Sequence, residues 1–378
     1  MRTKLNIASY LQIIPKRILY GLSIAGLIAL SLVNRLIDRN SDGEWTFLTK
    51  TLQPDGRSYL YFALNRVSGN SVDETLRIIG GVFDQSIFGS LTVELSQWHL
   101  NILNSRPIYP ILIELVPLTN RTLSLLLPPI VAWILLISCI SAHMNRNFGK
   151  LVSLFVIFLF TSSFYVRYNY IASTSDVIAG LFFFLSIILI IRVKKSSFTY
   201  LLILTTALIA MFTRPMAPIY ILIASLALLS FRRRLHNRGI LIVLGAIGLI
   251  HMLIMNLLFS QLTSELFIDE ASLLETLSHM LSKLVALPKI LVIEIGMVLV
   301  NDPVLAVLLI LIFLGFFLSK DTTLKVISLG TLIAVFLMAS MNGTIGNGFR
   351  YQMPLIICGI LCAPETIRYF LQNYKSLN

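Results

Sequence analysis

Long apolar runs separated by short polar turns cover most of the chain: Ile18–Val33, Leu123–Ala142, Leu151–Val166, Asp176–Ile191, Thr199–Phe212, Pro215–Phe231, Ile240–Phe259, Pro303–Ser319, Val326–Met341 and Met353–Phe370. A helix needs roughly 20 mostly apolar residues to cross a bilayer. The pattern therefore predicts an all-α polytopic membrane protein with about ten transmembrane helices, nine to eleven at the limits, forming a single transmembrane domain over 1–378. The first run has no small-residue cleavage site, so it reads as a retained helix rather than a signal peptide. The fifth and sixth runs meet at Thr213-Arg214-Pro215 with almost no loop.

Two breaks in the pattern are too long for connectors. The first, 34–122, is predicted to be a large outer loop with helices lying on the membrane surface. Ser71-Val72-Asp73-Glu74 is a capping box that should open a helix through Ile79, stopped by Gly80-Gly81. Asp55 is expected on a Pro-Asp-Gly turn just ahead of a helix that starts near Tyr59. Leu91, Leu95, Trp98 and Ile102 recur at helical spacing, with Trp98 suited to a membrane interface. In the second break, 261–302, Leu273, Leu274, Leu277, Leu281, Leu284 and Val285 form the apolar stripe of an interfacial amphipathic helix. Lys289–Val300 is interrupted by Glu294 and reads as re-entrant or surface-lying.

Composition agrees with the pattern: 56% of the 378 residues are hydrophobic and 13% charged, with a mean hydropathy of +0.84. A net charge of +12 could suggest nucleic acid, but its placement argues for topology. Arg2/Lys4/Lys16/Arg17, Arg146/Lys150, Arg192/Lys194/Lys195, Arg232/Arg233/Arg234/Arg238 and Lys320/Lys325 fall between every second pair of runs. That is the positive-inside arrangement with both termini cytoplasmic, and no nucleic-acid partner is implied. Nine of the eighteen acidic residues lie in 34–122, mixed with eight Lys or Arg, so that loop is placed outside. Cys139, Cys358 and Cys362 all sit in apolar runs and imply no disulfide framework.

Ionisable residues at membrane depth are costly to bury and are candidates for function. Topology puts five such places on the outer face: Asp55 with Tyr59; Arg106 in Ser105-Arg106-Pro107; Asn169 and Asp176 around the turn between the third and fourth runs; Arg214; and Arg350 with Tyr351. Each has a plain structural reading. Asp55 can be turn chemistry, Arg106 a snorkelling side chain, and Asp176 a helix N-terminal cap. Arg214 runs against the inside bias, so a partner anion is expected for it. His251, between apolar neighbours, reads as a satisfied packing residue. Together, one carboxylate facing several arginines suits chemistry on an anionic, membrane-held substrate, because arginine binds phosphate well and a carboxylate can act as a general base.

These features, in this order, resemble the GT-C superfamily of membrane glycosyltransferases, in small bacterial-type form. "PDGRSYLYFAL" is similar to the family's Asp-x-x-x-Tyr-x-x-x-Ala segment early in the first outer loop, and "RPIYPIL" to the Arg-x-x-Tyr-Pro segment after it. "STSDVIAGLFFFLSI", "FTRPMAPIYIL" and "FRYQMPLI" resemble the Ser-Asp-led span, the Thr-Arg-Pro turn and the final Arg-Tyr-x-x-Pro entry. The resemblance implies a polyprenyl-phosphate-sugar donor, a glycan, lipid or protein acceptor, and a setting in the bacterial inner membrane among its lipids. It implies Asp55 as general base, Arg106, Arg214 and Arg350 on the donor phosphate, and Tyr59, Asn169, Asp176 and Tyr351 around the substrate. Apart from Asp73-Glu74 of the capping box, the loop has no Asp-x-Asp or Asp-Glu pair. Asp42 and Glu44 could hold a divalent cation or be solvated loop residues, so a divalent cation stays open as a cofactor and none is fixed. An O-antigen polymerase or ligase-like enzyme, or a non-enzymatic lipid or glycan transporter, remains the alternative. The first would place its large loop later in the chain, and the second often shows inverted repeats.

Overall fold

The computed structural model describes residues 16–39, 45–47, 51–83, 106–116, 119–192, 197–214, 220, 222–223, 238–259, 298–322, 324–332, 356–357 and 359–377, with single positions between 278 and 296. These residues are almost entirely helical. In chain order the main elements are α1 (Lys16–Leu36), a short antiparallel ladder of β1 (Ile37–Arg39) with β2 (Trp45–Phe47), and α2 (Pro54–Phe62), which runs on as a π turn over Ala63–Val67. They continue with α3 (Val72–Phe83), α4 (Ile108–Glu114), α5 (Arg121–Phe148), α6 (Lys150–Ser162), α7 (Phe164–Tyr170), α8 (Asp176–Arg192) and α9 (Ser197–Thr213). Then come α10 (Arg238–Phe259), α11 (Pro303–Leu318) and α12 (Ala363–Leu377).

Among the described residues two helices, α1 and α5, are long and apolar enough to cross a membrane, and the bent pair α6–α7 makes a third if it counts as one span. The apolar helices within α8, α9, α10 and α11 are shorter. Their exposed sides match that use. Along α11, Val307, Ile310, Phe313 and Phe317 are exposed while Leu305, Leu308 and Ile312 are buried on the opposite face. Ile18, Leu22, Leu30 and Val33 are exposed along α1 in the same way. Contiguous apolar surface of this extent marks a face that meets lipid or protein rather than water.

Cross-links fix which ends lie together. The Tyr20 hydroxyl is 2.6 Å from Ser141 Oγ and 2.7 Å from Ser153 Oγ, tying the start of α1 to the end of α5 and the start of α6. Trp133 Nε1 donates to Ser31 Oγ (3.0 Å) further along. Arg35 Nε donates to the Ile171 carbonyl (3.2 Å) at the far end. Lys16, Arg17, Arg146 and Lys150 thus share one end of the helical body, and Arg368, over the Phe148 ring at 5.4 Å, joins them. The turn 171–175 and the C-terminal end of α9 lie at the other end.

Several boundaries differ from the sequence expectation. The run Leu151–Val166 is not one straight span. It breaks at Ser163, and α7 leaves α6 at 70°. Asp302 holds the break: Ser163 Oγ (2.7 Å) and the Tyr165 N–H (2.9 Å) donate to Oδ2, while Oδ1 caps α11 by accepting from Leu305 N–H (3.0 Å). The carboxylate is fully buried, and each of these donors would be orphaned without it. Asp302→Ala should therefore lower unfolding stability by about 2 kcal/mol or more, read as a drop in thermal midpoint in detergent. Asp302→Asn should cost less, because its amide oxygen still accepts.

The last run also breaks. Residues 356–360 are helical where described, Leu361–Cys362 turn, and α12 restarts with Pro364 in its first turn. A Cβ on Gly315 would collide with the Cys362 carbonyl, and one on Gly359 with the Ile312 side chain. Small residues here let the two backbones approach, as in membrane helix packing generally. Further back, α5 runs past the expected Ala142 to Phe148 and stops at Gly149, whose φ of 89° favours glycine. The Ser71 cap forms, with Glu74 N–H donating to Ser71 Oγ at 3.3 Å. However, α3 continues through Gly80-Gly81 to Phe83, because Thr75, Ile79 and Phe83 bury one continuous face. Leu281 and Val285, members of the stripe expected in 261–302, are exposed; the rest of that stripe and Leu91–Leu103 lie outside the described residues.

Candidate functional site

α2 begins earlier than the Pro-Asp-Gly reading predicts. Pro54 occupies the first helical position, where its fixed φ suits a helix start, so Asp55 sits in the first turn rather than on a preceding loop. Carboxylates are stabilised there by the exposed N–H groups of the turn. Asp55 is half-buried.

The N-terminal half of α2 docks on the turn 171–175. Gln53 N–H donates to Ser173 Oγ (2.7 Å), Ser173 N–H donates to the Thr51 carbonyl (2.8 Å), and the Tyr59 hydroxyl lies 2.8 Å from Ser175 Oγ. Gly56 is the contact residue: a Cβ there would collide with Ser173 Oγ and lie 2.8 Å from Ser173 Cβ and 3.1 Å from its carbonyl. Gly56→Ala should cost about 1–3 kcal/mol by overpacking, and Ser173→Gly in the same chain should recover most of the loss in thermal midpoint. An unchanged midpoint in the single variant would mean that the helix seats less tightly than this.

Behind that contact lies a buried polar cluster. Asp176, the first residue of α8, pairs with Arg214, just past the end of α9; both are more than 90% buried. The antiparallel α8–α9 hairpin brings them to one end. The anion expected for Arg214 is therefore Asp176, and the carboxylate's main partner is a guanidinium rather than only its own helix terminus. Tyr109 of α4 packs edge-on to Tyr59 at 4.8 Å and donates to the Leu125 carbonyl (2.6 Å). Burial holds the Tyr109 phenol well above its ordinary range, with Tyr59 and Asp176 adding to the shift, so it stays a neutral donor. Arg106 is buried directly ahead of α4.

Of the residues singled out from sequence, Tyr59, Asp176 and Arg214 thus come to one cluster, with Asp55 one turn before Tyr59 on α2. Asn169 lies in α7 next to the turn, its carbonyl accepting from Thr174 Oγ1 (3.4 Å), and its side chain donates back to the Tyr165 carbonyl (2.8 Å). Asp42, Glu44, Arg350 and Tyr351 lie outside the described residues. Among the described residues no group of three His, Cys, Asp or Glu side chains is placed to hold a metal ion. His251 is buried edge-on to Phe212 at 5.1 Å, but neither ring nitrogen has a hydrogen-bond partner among the described residues, so it packs without being satisfied. Gln53, Ser173, Ser175 and Tyr109 join the site without having been singled out. The serines lie in the same STSD segment as Asp176, and Tyr109 in the same RPIYP segment as Arg106.

Comparison with known proteins returns no matching family model, no matching curated protein and no matching solved structure.

Proposed function

We propose that this chain is a GT-C-like membrane glycosyltransferase of about ten spans. It would move a sugar from a polyprenyl-phosphate-linked donor to an acceptor hydroxyl, at the outer face of a bacterial inner membrane. The observation that carries the reading is the seating of Asp55's helix turn beside a buried arginine–carboxylate cluster, at the end of the apolar helices away from the basic clusters. A carboxylate, tyrosines for packing a sugar, and arginines at the membrane surface are the groups such a transfer needs.

In this mechanism Asp55 takes the proton of the acceptor hydroxyl as its oxygen bonds to the anomeric carbon. The bond from that carbon to the phosphate oxygen breaks, and the electron pair leaves with the lipid phosphate, inverting the centre. Phosphate is a good leaving group, so one base suffices where a glycosidase needs two carboxylates. Arg106 and Arg350 are the candidates to stabilise the departing charge. Arg214 shares its charge with Asp176 and acts chiefly by holding the cluster in shape.

The test is to incubate the purified full chain with a panel of polyprenyl-phosphate hexoses and pentoses in detergent micelles, with acceptor glycans and lipids. Loss of sugar from one donor, matched mole for mole by free polyprenyl phosphate, is expected. Turnover of none of them above a boiled control would sink the proposal.

A further inference from the structure

The helix α12 does not continue the last apolar run. It starts after the turn at Leu361–Cys362, with Pro364 and Glu365 in its first turn. The helical body holds that turn: Ala363, Pro364 and Thr366 are buried, and Thr366 Oγ1 donates to the Leu311 carbonyl of α11 (2.8 Å). From Arg368 the surroundings change. Arg368, Tyr369, Phe370, Leu371 and Gln372 are all exposed, and successive residues about 100° apart go all the way round a helix within this stretch. The stretch therefore stands clear of the described body. Arg368 ties it to the corner of α5 and α6, lying over the Phe148 ring at 5.4 Å and donating to the Asn147 carbonyl (3.4 Å).

Tyr369, Phe370 and Leu371 leave 48%, 56% and 53% of their surfaces open. Large apolar side chains in a row are costly to keep in water, so this stretch calls for a cover. Phe370 and Leu371 follow Ile367 at the i, i+3, i+4 spacing of one helix face, and Ile367 packs on the buried core. That face carries on from the apolar side of the body, while Arg368 and Gln372 lie about 110–150° around from its centre.

The charge at this end of the molecule selects the cover. Lys16, Arg17 and Arg146 are exposed here and Lys150 is half-buried. The acidic groups described at this end are Glu365, half-buried in the first turn of α12, and Asp321, whose Oδ1 accepts from Leu324 N–H (3.1 Å). A second copy meeting this face two-fold would bring the same cations against it. Cations around an amphipathic helix with exposed phenylalanine and leucine suit the headgroup layer of an anionic membrane instead, a layer that also favours tyrosine.

We propose that α12 is an interfacial anchor for anionic phospholipid. Phe370 and Leu371 enter the acyl boundary of the leaflet on the basic side, and Arg368, with Lys16, Arg17 and Arg146, binds its headgroup phosphates. The lipid composition of that leaflet then governs how firmly α12 is seated, at the opposite end of the helical body from Asp55. Nothing in this seating depends on sugar transfer, so the two readings stand or fall separately.

Hydrogen exchange reads the seating in the unaltered chain. The full-length protein is placed, one copy per disc, in lipid nanodiscs of phosphatidylcholine alone and of an equal mixture with phosphatidylglycerol. Exchange is followed by mass spectrometry in peptides from Ala363–Leu377. It should be slower in the mixed discs, by about fivefold for each basic residue engaged, and high salt should erase the difference. Arg368→Gln should remove about fivefold of the protection and Arg368→Lys little, since the charge rather than the Phe148 contact meets the lipid. Phe370→Ser combined with Leu371→Ser should give one fast rate in both discs.

Equal exchange of the wild-type chain in the two lipids would overturn the proposal. So would protection that arises only when two copies share a disc, which would assign the face to a second chain. Loss of the lipid effect in Arg368→Lys as fully as in Arg368→Gln would overturn the headgroup role and leave Arg368 as a tie to Phe148.

Discussion

Asp55→Asn should reduce sugar transfer by about 10²–10⁴-fold, the usual contribution of a positioned general base, while donor affinity and thermal midpoint change little. The side chains are nearly the same size, and Asp55 is half-buried in a first helical turn, so the variant keeps the shape of α2. What it loses is the ability to take a proton. In the proposed mechanism the arginines hold the donor phosphate, so the dissociation constant for the donor should stay within a factor of about three. Rates from single-turnover mixing, set beside donor titrations, separate the two. Transfer at the wild-type rate would remove Asp55 from the chemistry. Transfer lost together with donor affinity would make it a binding residue.

The second large effect concerns the buried pair. Removing either partner takes the ion pair from a charge more than 90% buried, and breaking such a pair costs about 3–5 kcal/mol. Asp176→Leu and Arg214→Met should each reduce the yield of folded, monodisperse protein in detergent and lower its thermal midpoint by many degrees. The double variant should recover most of that loss, since an apolar pair of similar volume replaces an ion pair at little net cost. Recovery of stability without recovery of transfer would separate the pair's structural part from its part in the site. Single variants as stable as wild type would mean that water reaches the pair.

Part of this was legible in the chain. Arg214 stands at a turn where a cation runs against the charge bias, which pointed to a partner anion, and Asp176 opens the adjacent hairpin. The apolar runs announced α1, α5, α8, α9, α10 and α11 because transfer out of water depends on composition more than on order. The break at Ser163 was not legible. One serine in an apolar run is ordinary, and what bends the chain there is a carboxylate 139 residues away. The early start of α2 was hidden because Pro-Asp-Gly satisfies a turn and a helix N-terminus equally well, and docking on Ser173 decides between them. Arg57 was not singled out; only the fold shows it buried over the Phe83 ring. Gly80-Gly81 misled in the opposite sense, since the packing of Ile79 and Phe83 outweighs the roughly 1 kcal/mol that each glycine costs in a helix.

The tie from Asp302 to Ser163 and Tyr165 also has a consequence in time. A ribosome adding about 5–20 residues per second delivers Asp302 many seconds after Ser163, by the 139-residue separation between them. During that interval the bend has no carboxylate to hold it, and the first half of the chain waits in the membrane with its sharpest corner unlatched. Chains halted before Asp302 should therefore be cut by membrane-resident proteases near residue 163, and chains halted soon after it should be protected.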